Sequence, residues 1–196
     1  MLQAGDSIEN PILGIRILLC KTEAETGGTG FEIEYFIKPH AGRDPAAHLH
    51  QWWTEEFAIL VGSARYMLAG KEQAAQAGDV LVFPSGIPHI HPWNVGDTEL
   101  YMRQIDRFDH PSPVAVRDTL NVYATLYGLA RAGKVNRAGL PHLLQLAVMM
   151  ERLQHHGGYL GGLPPLIQRG LFGGLAVLGR ACGYQPSYPE YTNPHA

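Results

Sequence analysis

The sequence predicts a mainly β protein, a sandwich or closed barrel, followed by an α-helical C-terminal extension. Two observations support this prediction. Up to Phe108, short apolar or alternating segments lie between turns that contain Gly or Pro, a spacing typical of sandwiches and barrels. After Phe108 the hydrophobic period lengthens towards about 3.6 residues, which is typical of helices. We therefore divide the chain into a β-barrel, residues 1–108, and a helical extension, residues 109–196.

Each predicted strand has its own local pattern. Residues 31–38 alternate apolar and polar side chains, as expected of a strand with one buried face. The segment 23–30 is rich in Gly and Thr and is predicted to be a turn or loop. In chain order, the predicted strands are 14–21, 31–38, 56–61, 64–69, 80–83, 87–91 and 99–105. We expect the interior to contain Ile15, Ile17, Ile33, Ile59 and Val82.

Three helices are predicted in the extension. Ser112 followed by Pro113 suits the start of the first, over 114–131. The second carries Leu143 to Leu153 and the third carries Leu166 to Leu178, and an irregular tail, 184–196, follows. The glycines scattered through the third helix weaken it by about 1 kcal/mol each relative to alanine unless close packing compensates.

The extension has three possible roles. It could be a small bundle packed on the outside of the barrel or at a dimer interface, or a lid over the barrel mouth that shapes a substrate pocket. Attachment to a membrane surface needs a basic polar face, and the third helix offers only Arg169 and Arg180 for one. Since the leucines and glycines of this helix suit a two-fold contact, we expect a homodimer.

Composition excludes several classes of partner. The net charge is −3 and the basic residues are scattered, so we expect no nucleic-acid partner. Two cysteines are too few for a disulfide framework and fit free thiols in a reducing cytosol. The N-terminus lacks the pattern of a signal peptide, and no apolar run is long enough for a membrane span. The sequence therefore predicts a cytoplasmic protein without a membrane span.

The segment from Gly42 to Gly62 has the residues of a metal site. His48 and His50 are two positions apart, so both side chains leave the same face of a strand. Four residues that can form a tight turn separate them from Glu55, which can open the returning strand. Two imidazoles and a carboxylate suit a borderline or moderately hard divalent cation.

A second segment, from Gly78 to His89, supplies a candidate fourth ligand. His89 follows Pro84 and Gly86 in an ordered run. His91 lies two positions later, on the same face, so it could join the site, replace His89 as a ligand or bind a substrate. The spacing from Gly86 favours His89.

The two segments resemble the cupin motifs. The first fits the pattern G-x5-H-x-H-x4-E-x6-G, and the second fits G-x5-P-x-G-x2-H. The asparagine that closes the second motif is displaced by one position, because Trp93 precedes Asn94. The resemblance covers roughly residues 8–108 and implies a single-domain cupin, a double-stranded β-helix or jelly-roll barrel. It implies one metal ion held by His48, His50, Glu55 and His89.

The resemblance also suggests a function. A metal-dependent, oxygenase-type enzyme that acts on a small molecule is our leading hypothesis, with a single divalent transition metal ion (iron, manganese, nickel or zinc) as its cofactor. Glu55 could also accept a proton. The alternatives are a non-redox isomerase or lyase and a non-catalytic binding protein, because the fold alone does not determine the function.

Overall fold

In the computed structural model, which describes residues 1–193, the strands form two antiparallel sheets. The strands are β1 (Ser7–Asn10), β2 (Ile15–Lys21), β3 (Gly30–Ile37), β4 (His48–His50), β5 (Trp53–Val61), β6 (Ser63–Leu68), β7 (Lys71–Gln76), β8 (Val80–Phe83), β9 (His89–Asn94), β10 (Leu100–Phe108) and β11 (Gly158–Leu160). One sheet has the order β1-β2-β3-β10-β5-β8, and the other has the order β11-β4-β9-β6-β7. This arrangement confirms the predicted jelly-roll barrel.

The helices follow the barrel, apart from one short helix between β2 and β3. They are α1 (Glu23–Thr26), α2 (Pro113–Arg131), α3 (Leu143–Gln154), α4 (Pro165–Ala181) and α5 (Pro189–Thr192). The hydroxyl of Ser112 caps α2 by accepting from the Ala115 amide at 3.2 Å, as the Ser-Pro pair predicted. Part of the predicted tail, residues 194–196, lies outside the described residues.

The core is formed by the alternate residues of the strands whose side chains point inwards. On β3 the residues Phe31, Ile33, Tyr35 and Ile37 are buried while the intervening residues are half-buried. The expected interior residues Ile15, Ile17, Ile33 and Ile59 are buried. The expectation for Val82 was wrong, because its side chain is 50% exposed. On β8 the two-residue period turns Leu81 and Phe83 inwards and Val82 outwards, and an all-apolar strand does not reveal its phase in the sequence.

The C-terminal extension contacts the barrel in two ways. Buried residues of α2, among them Val116 and Leu120, belong to the same hydrophobic cluster as the barrel core. The short strand β11 pairs with β4, so that Tyr159 lies opposite Leu49, between the two histidines of that strand. The division of the chain at residue 108 coincides with the end of β10. That residues 1–108 form a separate domain stays a prediction.

Five elements escaped the sequence prediction, namely β1, α1, β7, β11 and α5. The predicted loop 23–30 contains α1, which is stabilised by a capping box in which Glu25 accepts from the Thr22 amide at 2.7 Å. Four of the six residues of β7 are polar, and this strand forms by pairing with β6 at a sheet edge. The strand β11 has three residues and depends on its partner β4. Pairing with a neighbour, and not a local pattern, determines both strands.

Candidate metal centre

The candidate ligands lie on three strands that meet inside the barrel. His48 and His50 lie on β4. Glu55 is the third residue of β5, which belongs to the other sheet. His89 and His91 lie on β9, where His89 is the register partner of His48. Because the inner faces of the two sheets oppose each other, the carboxylate of Glu55 reaches the imidazoles from the opposite side. Glu55 is fully buried.

Four donor atoms converge at this point. The Nε2 atoms of His48 and His91 are 3.0 Å apart. The Oε2 atom of Glu55 lies 3.1 Å from Nε2 of His91 and 2.9 Å from Nε2 of His89. The donor atoms of His48, Glu55, His89 and His91 all lie within 4.8 Å of one another. Two donors about 2.1 Å from one ion and at right angles to each other are about 3.0 Å apart, so these separations suit neighbouring ligands of a single ion.

The hydrogen-bond geometry of His89 supports this interpretation. Its Nδ1 atom lies 2.9 Å from the carbonyl oxygen of Ile87, which accepts a hydrogen bond from a protonated Nδ1. Nε2 then presents a lone pair, and this buried atom has no hydrogen-bond partner. A lone pair that faces a carboxylate oxygen at 2.9 Å is stabilised by a cation between the two atoms. Metal-bound histidines usually donate their other ring N–H to a carbonyl or carboxylate in this way, so the residues present fit a metal ion.

His50 differs from the other imidazoles. Its Nδ1 atom lies 3.6 Å from Oε1 of Glu55, which is the other carboxylate oxygen, and its ring stacks on Trp53 with the centroids 4.0 Å apart. The sequence placed His48, His50, Glu55 and His89 in the ligand set. The structure brings His48, Glu55 and His89 together with His91, and His50 is not among these four.

Two polar residues behind Glu55 were missed by the sequence analysis. Nε2 of Gln104 donates to Oε1 of Glu55 at 3.1 Å and to Oδ1 of Asp106 at 2.7 Å. Both residues are almost fully buried on β10. Burial, together with the nearby charge of Glu55, raises the pKa of Asp106 well above its usual value. Polar side chains at the inward-facing positions of β10, after Leu100 and Met102, were the signal that could have revealed them.

The electrostatics of the cluster favour a cation next to a charged Glu55. Burial lowers the pKa of His48 well below its usual value and that of His50 to about 3, so both rings are neutral. Burial opposes the charged form of Glu55, but the surrounding imidazoles hold its pKa well below the usual range. Burial likewise opposes the charged form of His91, but Glu55 and Asp44 raise its pKa. A metal ion would displace the proton of His91, as ligand deprotonation requires.

The cluster borders a cavity of about 190 Å³. His48, His50 and His91 line this cavity, together with Asp44. Oδ2 of Asp44 lies 3.5 Å from Nδ1 of His91, and burial raises the pKa of the Asp44 carboxyl. Asp44 was not predicted from the sequence, because it occupies one of the unspecified positions of the first motif.

The displaced asparagine of the second motif has a structural role. The side-chain amide of Asn94 donates to the carbonyl oxygens of Ile37, Lys38 and Thr98 at 2.8–3.0 Å. Asn94 is buried at the end of β9. These bonds tie the end of β9 to the end of β3, so the displacement by one residue leaves the strand of His89 and His91 anchored.

Comparison with known proteins agrees with the motifs. Residues 35–106 match the family model of the cupin domain. This segment contains all five residues of the cluster region: His48, His50, Glu55, His89 and His91. Residues 35–106 therefore form a cupin domain. The comparison with curated proteins found no significant match.

Several solved structures are similar to the barrel. A predicted oxalate decarboxylase from Thermotoga maritima is 20% identical, with a TM-score of 0.46, and the match covers 55% of this chain and 99% of that chain. A putative sugar phosphate isomerase from Acidithiobacillus ferrooxidans is 20% identical, with a TM-score of 0.40, over 50% of this chain and 61% of that chain. A cupin-like protein from Thermotoga maritima is 18% identical, with a TM-score of 0.41, over 48% of this chain and 68% of that chain.

A membrane-spanning helix is also absent from the part of the chain that the structure describes. None of the helices within residues 1–193 combines the length and the apolar character needed to cross a bilayer.

Proposed function

We propose that this protein is a metal-dependent enzyme that acts on a small molecule bound in the cavity. The observation that carries the proposal is the position of the cluster at the cavity wall. His48, His50 and His91 line the cavity, so an ion among these rings would face whatever molecule the cavity holds. A buried structural ion would lack such access.

The proposed ligands are His48, Glu55, His89 and His91, with His50 as the sequence-based alternative to His91. Three imidazole nitrogens and one carboxylate oxygen suit iron, manganese, nickel or zinc. Bound there, such an ion would supply Lewis acidity or redox chemistry beside the cavity. In this scheme Gln104 holds Oε1 of Glu55 and leaves Oε2 to face the ion.

Proton transfer is assigned to a carboxyl group that can reach the substrate. Asp44 lines the cavity and is the candidate that we propose. The sequence-based candidate, Glu55, is fully buried below the imidazoles, and it would first have to release the ion. The raised pKa of Asp44 brings the carboxyl closer to the range in which it can both accept and donate a proton near neutral pH.

Oxygenase-type chemistry is the leading form of the proposal. Four protein ligands leave about two positions of an octahedral ion for substrate and dioxygen. If both atoms of dioxygen enter the substrate, no separate reductant is needed. The test measures turnover and oxygen uptake by the metal-loaded protein with and without dioxygen. Turnover that persists without dioxygen would replace the oxygenase by the isomerase or lyase, and a ligand that is bound and returned unchanged would indicate a binding protein.

We also propose that α4 mediates a homodimer. One face of this helix carries five large apolar side chains that are 49–80% exposed, namely Leu166, Ile167, Leu171, Val177 and Leu178. Gly170 and Gly174 lie on the same face, and a Cβ added to either would meet no atom within 4 Å. These two glycines would allow a second helix to approach closely.

The exposed apolar area of this face is large enough for a dimer interface. The five side chains together expose roughly 600 Å², which is at the upper end for the largest apolar patch on a typical monomer. Self-association through a two-fold axis would bury about 1,200 Å² in total, above the threshold of about 1,000 Å² for a specific interface. A second copy of the chain is therefore the partner that we propose.

A further inference from the structure

The barrel and the helical extension contribute about equally to the wall of the cavity beside the cluster. Val122 and Leu126 of α2, with Met149, Met150 and Leu153 of α3, form part of its wall. The barrel contributes Ile15, Ile37 and Met102 on the other side. A cavity of about 150 Å³ with apolar walls is large enough to bind benzene, so the present volume of about 190 Å³ suits a substituted ring or a short branched chain.

The charges of the residues that line the cavity restrict the charge of the ligand. None of the described residues that line the cavity is Lys or Arg, and Asp44 is its single carboxylic acid. Phosphate groups in proteins are usually bound by such cationic side chains or by helix N-termini. An anionic group would here lie among apolar side chains and near Asp44, at a cost in desolvation. The ligand is therefore neutral apart from any group that binds the ion.

Of the four described tyrosines that line the cavity, three add hydroxyl groups that no described neighbouring residue binds, since Tyr159 is bonded to Arg169. Tyr35, Tyr123 and Tyr127 line the cavity, and Tyr35 and Tyr127 are only 4% and 6% exposed. Their hydroxyl groups make no hydrogen bond to the residues that the structure describes. Burial raises the pKa of all three, so the phenols stay neutral and can donate. These hydroxyl groups are not among the buried atoms of the described residues that lack a partner, so they are open to the cavity, where a ligand oxygen can accept a hydrogen bond from them.

We infer that the ligand is a small, neutral, mainly apolar molecule of the size of a substituted ring. It carries a hydroxyl or carbonyl group that Tyr35 or Tyr127 binds. This inference rests on the proposed function only for the end that faces the ion. The apolar part of the cavity binds the ring or chain of the ligand, and the phenols bind its hydroxyl or carbonyl group, without a metal.

The first test compares three probes by isothermal titration calorimetry on metal-free and metal-loaded protein. We expect ethylbenzene to bind both forms alike, 4-ethylcatechol to bind the loaded form more tightly, and glucose 6-phosphate to bind neither. Binding of glucose 6-phosphate as tight as that of the catechol, or no binding of ethylbenzene, would overturn the inference. If ethylbenzene binds but the metal changes nothing for the catechol, the proposed function fails and the apolar cavity stands.

The second test removes the phenol oxygens without changing the volume of the side chains. We expect Tyr35→Phe combined with Tyr127→Phe to weaken 4-ethylcatechol binding about three- to tenfold, the effect of a lost neutral hydrogen bond. The affinity for ethylbenzene and the metal content should not change, which also shows that the variant is folded. Tyr101→Phe, outside the cavity, is the matched control. An unchanged catechol affinity in the double variant would contradict the role of the phenols.

Discussion

The Nε2 atom of His89 lies 2.9 Å from the Oε2 atom of Glu55 and makes no hydrogen bond to it. The opposite ring nitrogen of His89 is bonded to the Ile87 carbonyl, which fixes the orientation of the imidazole. Two acceptor atoms are thus held against each other in the interior of the barrel. This arrangement is unfavourable in the absence of a cation and suits an ion that binds to both atoms.

The first prediction concerns the identity of the fourth ligand. We expect His91→Ala to weaken metal binding by more than about 100-fold, as His48→Ala and His89→Ala would, because each removes a nitrogen from the donor cluster. His50→Ala should cost only about tenfold, since His50 faces the other oxygen of Glu55. Competition with a chromogenic chelator gives the affinities. Full metal binding by His91→Ala, together with a large loss in His50→Ala, would restore the set that the sequence predicted.

The second prediction concerns the residue that orients Glu55. Gln104→Leu removes the donor that holds Oε1 of Glu55 and separates it from Asp106. We expect the metal affinity to fall about 10- to 100-fold, the range typical of residues that position a ligand. The same chelator competition measures it, with the surface variant Gln73→Leu as the control. Wild-type affinity in a folded Gln104→Leu variant would show that Gln104 does not position the carboxylate.

The third prediction concerns proton transfer. Asp44→Asn keeps the size of the side chain but removes the carboxyl group from the cavity wall. Once a substrate is identified, we expect kcat to fall about 10²- to 10⁴-fold, as general acid–base catalysis implies, while the metal content stays at the wild-type level. Asp97→Asn, at an exposed position, is the control. Wild-type kcat across the pH range in Asp44→Asn would move the role to Glu55 or to water.

The fourth prediction concerns assembly. We expect the wild-type chain to have twice its 21.5 kDa mass in solution at micromolar concentration. Replacing Leu166 and Leu178 by Lys should give a monomer, because each copy would then have to bury lysine charges in the apolar contact. Light scattering measures both. Val80→Lys changes an exposed apolar residue on β8 and should leave the dimer intact. A wild-type monomer across the concentration range would refute the contact.

The sequence revealed those features that depend on local patterns. Strand alternation and the two spaced motifs placed β4, β5 and β9 and brought His48, Glu55 and His89 to one point. The sequence weighed His91 only against His89 and placed His50 in the ligand set, because both His50 and His91 lie on the correct face of their strands. Only the side-chain geometry separates them: His50 stacks on Trp53, and His91 points at Glu55.

Features that depend on the meeting of distant segments were not predictable. Asp44 reaches the cluster from an unspecified motif position, and Gln104 and Asp106 reach it from a strand beyond both motifs. The role of α2 and α3 as a cavity wall was one of several alternatives. An amphipathic pattern shows that one face of a helix is buried, but it does not show which element packs against that face. The cytoplasmic location stays a prediction.

The most direct test of the account is a crystal structure of the protein purified without added chelator and without a nickel column, with anomalous diffraction data. We predict one anomalous peak per chain, within about 2.0–2.3 Å of Oε2 of Glu55 and of the Nε2 atoms of His48, His89 and His91. The peak should adjoin the cavity that Asp44 lines. A cluster that remains without a peak after incubation with iron, manganese, nickel and zinc would contradict the proposed metal centre and the function built on it.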